Sequence, residues 1–340
     1  MRLAFVLQTH RSLEQIAHLV RTLDQGLAET TIVISHNGPV EECRQLARVE
    51  GVDRVLPAPG GRAQFSMLDG LFSAFRWLEA QPLGYDWALV LSGQDYPIRP
   101  LGELEQLLRH SPYDGLFHHF EAAAQGELPP ESISWTQQEV ETRYYFRATR
   151  LKRELSLFDR AMWKPFRLVL DRSQTYRLHT GFGLHFCRRA YETPFNAGFK
   201  LYGGSNWLTV RRGCVQRILR FVDERPDLTE YFRHTIAPDE AFPVSVLAND
   251  PSIHLSTEEL RYYDFSVAQN NSPATITPDN LGEALASGKF FARKFDMAAY
   301  PEVIRHIDEH FTSLQRRRSI DEARLEDEGR GRRPAGARPS

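Results

Sequence analysis

The first 120 residues alternate in a way that leaves few architectures open. Short apolar runs of β character, LAFVLQ at 3–8, TIVISH at 31–36 and WALVLS at 87–92, are separated by stretches with helical spacing. These are SLEQIAHLVRTL at 12–23 behind a Ser cap, VEECRQLARV at 40–49 and FSMLDGLFSAFRWLEA at 65–80. LGELEQLLRH at 101–110 adds a helix, and GLFHHF at 115–120 a further strand-like run. Strands alternating with helices predict an α/β fold whose central sheet is mainly parallel and covered by helices on both faces. Ligand sites in such sheets lie beyond the carboxyl ends of the strands. The segment LSGQDYPI at 91–98 falls just past one of those ends.

Composition narrows what the sheet can serve. Of the 340 residues, 41% are hydrophobic and 25% charged, which is ordinary for a soluble globular chain with a sizeable core. A formal net charge of −2 supplies no global field for nucleic acid, so no nucleic-acid partner is expected. The apolar run at the N-terminus is too short for a signal sequence or a membrane span, which leaves a cytoplasmic protein with at most peripheral membrane contact. Cys43, Cys187 and Cys214 are widely spaced and read as reduced, buried thiols. Between 141 and 180, ten Arg or Lys stand among aromatic and aliphatic residues, suiting either a solvated basic helix or a groove for an anionic or sugar-bearing acceptor. Residues 313–340 carry charge runs, Gly and Pro with little to bury, and read as a disordered charged tail. The rest reads as one catalytic domain over 1–312, with a nucleotide-binding half over about 1–120 and an acceptor and catalytic half over about 121–312.

Three further segments close apolar runs with charged, aromatic and glycine residues: GGSNW at 203–207, TIAPDEAF at 235–242 and KFFARKFD at 289–296. Together with LSGQDYPI, in this order and spacing, they resemble the branching β-1,6-N-acetylglucosaminyltransferases and the related peptide O-xylosyltransferases (core-2/I-branching type). The resemblance spans AFVLQTH at 4–10 to IDEH at 307–310. It implies a modified GT-A (Rossmann-like) fold, a UDP-sugar donor as substrate, a glycan or other hydroxyl-bearing acceptor, inversion at the anomeric carbon, and no bound metal or other cofactor.

The chemistry can also be read from the residues. Inverting transfer is one in-line displacement, so it needs a base for the acceptor hydroxyl and cations for the departing diphosphate. Glu240 follows Pro238 and Asp239 at a loop-to-helix junction and is the candidate base; both acids also read as the acidic start of a helix, favourable with its dipole. The resemblance puts the family's catalytic Glu on Glu240. No Asp-x-Asp occurs in the chain, so Arg293 and Lys294 are the expected cations; a surface segment of snorkelling bases is the other reading. The family's diphosphate-binding Lys falls on Lys294, while an upstream Arg used by some members has no match near Ser272 and Pro273.

Asp95 reads as either a turn residue or a donor contact. Ser205 and Asn206 are candidates for sugar hydroxyls, and Trp207 for stacking a sugar face or filling core. Asp239 joins them on the acceptor side. His10, His36 with Asn37, and Arg62 with Ser66 follow the first strands, where uracil and ribose would lie; many relatives carry Asp where Asn37 stands. HIDEH at 306–310 fits H-x-x-E-H but lacks a third zinc ligand downstream, which sets a zinc hydrolase aside. The expected activity is a metal-independent inverting glycosyltransferase using UDP-GlcNAc. UDP-xylose, or a non-catalytic sugar-nucleotide or glycan-binding protein on the same fold, is the alternative.

Overall fold

A computed structural model describes residues 1–122, 135–266 and 272–311. Leu3–Thr9 forms β1, Thr30–His36 β2, Arg54–Pro57 β3 and Trp87–Ser92 β4. β1 lies between β2 and β4 and is parallel to both, and β3 extends the sheet beyond β2. On the other side of β4 the sheet continues through Thr209–Arg211, which is antiparallel, then Gly115–Leu116 and Leu255–Ser256, to seven strands among the described residues.

Period-2 alternation along β1 serves two cores at once. Ala4 and Val6 point into a cluster with Phe72, Phe75, Val215 and Phe242. Leu3, Phe5 and Leu7 enter the other, with Ile16, Leu19, Leu104, Phe291 and Ile304. A strand buried on both faces must be apolar throughout, and Leu3 to Leu7 are all 0% exposed. Burying each such Leu or Phe contributes about 1.5–3 kcal/mol.

Helices α1 (Leu13–Gln25) and α4 (Leu101–His110) cover one face, and α3 (Ser66–Glu79), α7 (Arg212–Glu224) and α9 (Phe242–Ala248) the other. The short helix α2 (Val40–Leu46) connects β2 to β3.

Several expectations change. Ser12 does precede α1, but its side chain caps nothing and its φ is 60°. β3 escapes sequence reading because its four residues RVLP are too few to show a period. GLFHHF breaks into Gly115–Leu116 in the main sheet and His119–Glu121 in a separate pair with Tyr202–Gly204. The basic segment is not one solvated helix. It holds the end of α5 (Gln137–Tyr144), the strand Phe146–Lys152, α6 (Leu157–Leu170) and the strand Tyr176–His179, the two strands joining Leu184–Arg189 in a three-stranded sheet. Cys43, Cys187 and Cys214 are free and buried. The tail expected to be disordered lies outside the described residues, and among the described residues no helix is long and apolar enough to cross a membrane.

Candidate active site

The carboxyl ends of β1, β2 and β4 open into a cavity of about 620 Å3, within the usual range for small-molecule sites. His10 and Asn37 line it directly after β1 and β2, and Ser66 lines it from the first residue of α3. His36 does not reach it. Its ring is fully buried, pairing through Nδ1 with Thr9 Oγ1 at 2.8 Å and through Nε2 with Glu42 at 2.9 Å, which ties the two strand ends together. Gly60 has to be glycine, because a Cβ there would meet Asn37 Nδ2 at 1.8 Å. The turn it permits delivers Arg62 to the cavity wall.

Glu240 stands on a turn of 3-10 helix, Pro238–Glu240, whose backbone is unusual. Ala237 just before it has φ 51°, its N–H donates to the carbonyl of Ala63 at 3.1 Å, and Ala63 itself has φ 58°. Left-handed alanines cost energy and persist only where surroundings hold them, a pattern that clusters at functional sites. The Tyr144 hydroxyl donates to the Ala237 carbonyl at 2.8 Å and supplies that hold.

Arg143, on α5, donates to Glu240 Oε2 at 3.0 Å, and its guanidinium lies near the rings of Trp135 and Phe182. Burial raises the Glu240 pKa above the usual carboxylate range and Asp239 adds to this, while Arg143 and Arg62 oppose it. The side chain keeps 32% exposure, so water in the cavity limits the rise. Asp239 is buried and raised for the same first reason; it accepts from Asn206 Nδ2 at 3.0 Å and its second oxygen has no partner among the described residues. It does not cap α9.

The cations gather on another wall. Arg11, Arg62, Arg293 and Lys294 all line the cavity. Burial lowers the basicity of Lys294, and Arg11, Arg293 and Arg62 lower it further, with Asp296 acting the other way. Arg293 is pushed down to about 10 by burial against the pull of Asp95. Clustered cations give this wall of the cavity a positive potential. Arg62 Nη2 donates to Ser272 Oγ at 3.1 Å, so a guanidinium from the first half of the chain occupies the region where no upstream Arg could be matched.

Asp95 lies beneath this wall and not on it. It is fully buried, accepts the Ser92 N–H, and sits 3.0 Å from Arg261 and 3.8 Å from Arg293. Its place is to hold Arg293 from behind. Trp207 carries the Arg293 guanidinium at 4.1 Å and that of Arg261 at 5.0 Å over its ring, so its π surface is already engaged by cations. The Ser205 hydroxyl donates to Glu259 and accepts from the Trp207 N–H. Asn206 is bonded to Asp239. All three line the cavity, yet each also braces a neighbouring charged group.

Sequence reasoning missed Arg143, which bonds Glu240, and the cavity-lining Arg11, Trp135, Phe182 and His118. Nothing distinguishes Arg143 among ten basic residues. The available signal was the T-x-x-E capping box at Thr136 and Glu139, which marks the start of α5 and so places Arg143 in its last turn. The HIDEH motif lies on a helix over 301–311, where Asp308 bonds His18 and the Tyr96 hydroxyl. Among the described residues no group of three or more His, Cys, Asp or Glu is placed to hold a metal ion.

A mostly parallel sheet whose strand ends open on a cavity walled by a turn-borne carboxylate and clustered cations fits a GT-A-like glycosyltransferase fold. The chain belongs to the Core-2/I-Branching enzyme family, whose match covers residues 3–287. No curated protein matches it. The family match stops short of Arg293 and Lys294, so their presence at the cavity is a finding of the structure.

Proposed function

We propose that this glycosyltransferase transfers N-acetylglucosamine from UDP-GlcNAc to an acceptor hydroxyl with inversion, without a metal ion, in the cytoplasm. The observation carrying this reading is one cavity shared by Glu240, held by Arg143, and by Arg11, Arg62, Arg293 and Lys294. Glu240 takes the acceptor proton as the hydroxyl oxygen bonds to the anomeric carbon, and the bond from that carbon to the β-phosphate oxygen breaks. UDP leaves with the electron pair, and the cations meet its charge. His10, Asn37 and Ser66 face the uridine end. GlcNAc is preferred to xylose on the family resemblance.

The test is UDP release from a panel of UDP-sugars with EDTA in excess. UDP-GlcNAc should be hydrolysed fastest, at a rate EDTA does not change. Faster turnover of UDP-xylose overturns the donor, a requirement for manganese or magnesium overturns the role of the cations, and no release with any donor or acceptor leaves a binding protein.

A further inference from the structure

We infer that α6 docks this protein on an anionic lipid surface. The helix is firmly started: Ser156 and Asp159 form a capping box, and Lys152 clamps Asp159 at 2.7 Å. Yet Asp159 is its one buried residue out of fourteen, so the core does not use it. Its outer side is apolar. Leu157 is 87% exposed, Phe158 76% and Val169 71%, with Met162, Phe166 and Leu168 exposed beside them. At 100° per residue these six span one half of the helix, while Asp159, Trp163, Arg167 and Leu170 form the inner side. Arg160 and Lys164 stand at the border, exposed. A large apolar patch rimmed by charge marks an interaction surface, and an apolar half-cylinder bordered by basic residues suits a helix lying in a lipid interface.

Charge decides between occupants. From Arg150 to Arg177 the chain has eight Arg or Lys against three Asp or Glu, although its total charge is −2. A second copy laid on this face would oppose like charges across the contact. The segments 123–134 and 312–340 offer only Leu128, Ile133, Leu314, Ile320 and Leu325 as large apolar residues, too sparse to cover it. Anionic headgroups complement the basic rim, and acyl chains accept the aromatic and aliphatic side chains. Position adds a consequence. Arg167 donates to Thr180 Oγ1 at 3.2 Å, and Phe182, two residues on, lines the cavity. Docking through α6 sets the cavity rim beside the lipid surface.

Vesicle flotation of the full chain tests this independently of transferase activity. Vesicles of phosphatidylcholine with phosphatidylglycerol should carry the protein at least about tenfold better than phosphatidylcholine alone. Raising salt to ~1 M, where the screening length is about 3 Å, should erase most of that preference. The double variant Phe158→Ser with Phe166→Ser should lose flotation while keeping its urea midpoint and its UDP-sugar hydrolysis. No preference for anionic vesicles, or unchanged flotation of a folded double variant, overturns the inference. So does a wild-type dimer that ignores vesicles and becomes monomeric in the double variant, which would make this face a self-interface.

Discussion

Glu240 and Lys294 line the same cavity but should fail differently when altered. Glu240→Gln keeps shape and most hydrogen bonding but cannot take a proton. Transfer should fall ~10²–10⁴-fold with UDP affinity near wild type. Lys294→Ala removes the charge proposed to meet the diphosphate and should weaken UDP binding about 10- to 100-fold. Calorimetric UDP titration of both variants checks this, and a Glu240→Gln protein that still transfers sugar would remove Glu240 from the chemistry. Arg143 should set the pH at which Glu240 works. As the proposed base, Glu240 acts only when deprotonated, so activity should rise with pH through its raised pKa. Arg143→Met withdraws a cation that favours the charged form, so the acid limb of kcat/KM should move to higher pH. An unmoved limb, or one moved down, would show that Arg143 does not govern Glu240.

At the scale of elements, the turn Pro238–Glu240 depends on α5 as much as on its own sequence. PDE with AFPVSVL behind it was legible as a loop-to-helix junction, and α9 begins there. The left-handed Ala237 was not legible, because alanine carries no mark of positive φ and the bonds that hold it come from Ala63 and Tyr144. Tyr144→Phe removes one of two donors to the Ala237 carbonyl, leaving the Glu240 N–H at 3.2 Å, and should cost about 0.5–1.5 kcal/mol of stability. Its kcat should fall as well while UDP affinity stays. Urea denaturation with steady-state kinetics measures both, and a destabilised variant with wild-type kcat would mean that the turn keeps its shape without the hydroxyl.

The whole molecule should be acid-labile in a way traceable to buried imidazoles. Burial, reinforced by Arg143, pushes His179 down to about 3, and burial with Arg150 takes His185 to about 4. Below the ordinary histidine value of 6.5 the unfolded chain takes up protons that the folded chain refuses. Stability is therefore lost as pH falls from there until the folded values are reached. Asp239 and Glu240 act in the opposite sense, keeping protons that the unfolded chain has shed, so the wild-type slope alone does not isolate the histidines. His179→Phe retains an aromatic ring beside Phe182 and removes the titration. Its urea midpoint should fall less between pH 7 and pH 4.5 than that of wild type; equal falls would refute the assignment.

What the sequence determined by itself is what local pattern controls. Apolar runs placed β1, β2 and β4, amphipathic periods placed α1, α3 and α4, and both follow from which side chains must leave water. Glu240, Arg293, Lys294, Arg62, His10, Asn37 and Ser66 were each singled out in the sequence, and all line one cavity. Tertiary structure alone decided how neighbours divide the work. Asp95 went under the wall because Arg261 and Arg293, far along the chain, bring charges that a buried carboxylate needs. Trp207 became a seat for those guanidinium groups, and Arg143 came to Glu240 across 97 residues. Electrostatic partners inside a fold are chosen by distance in space and by burial, and neither is written in the spacing of a sequence.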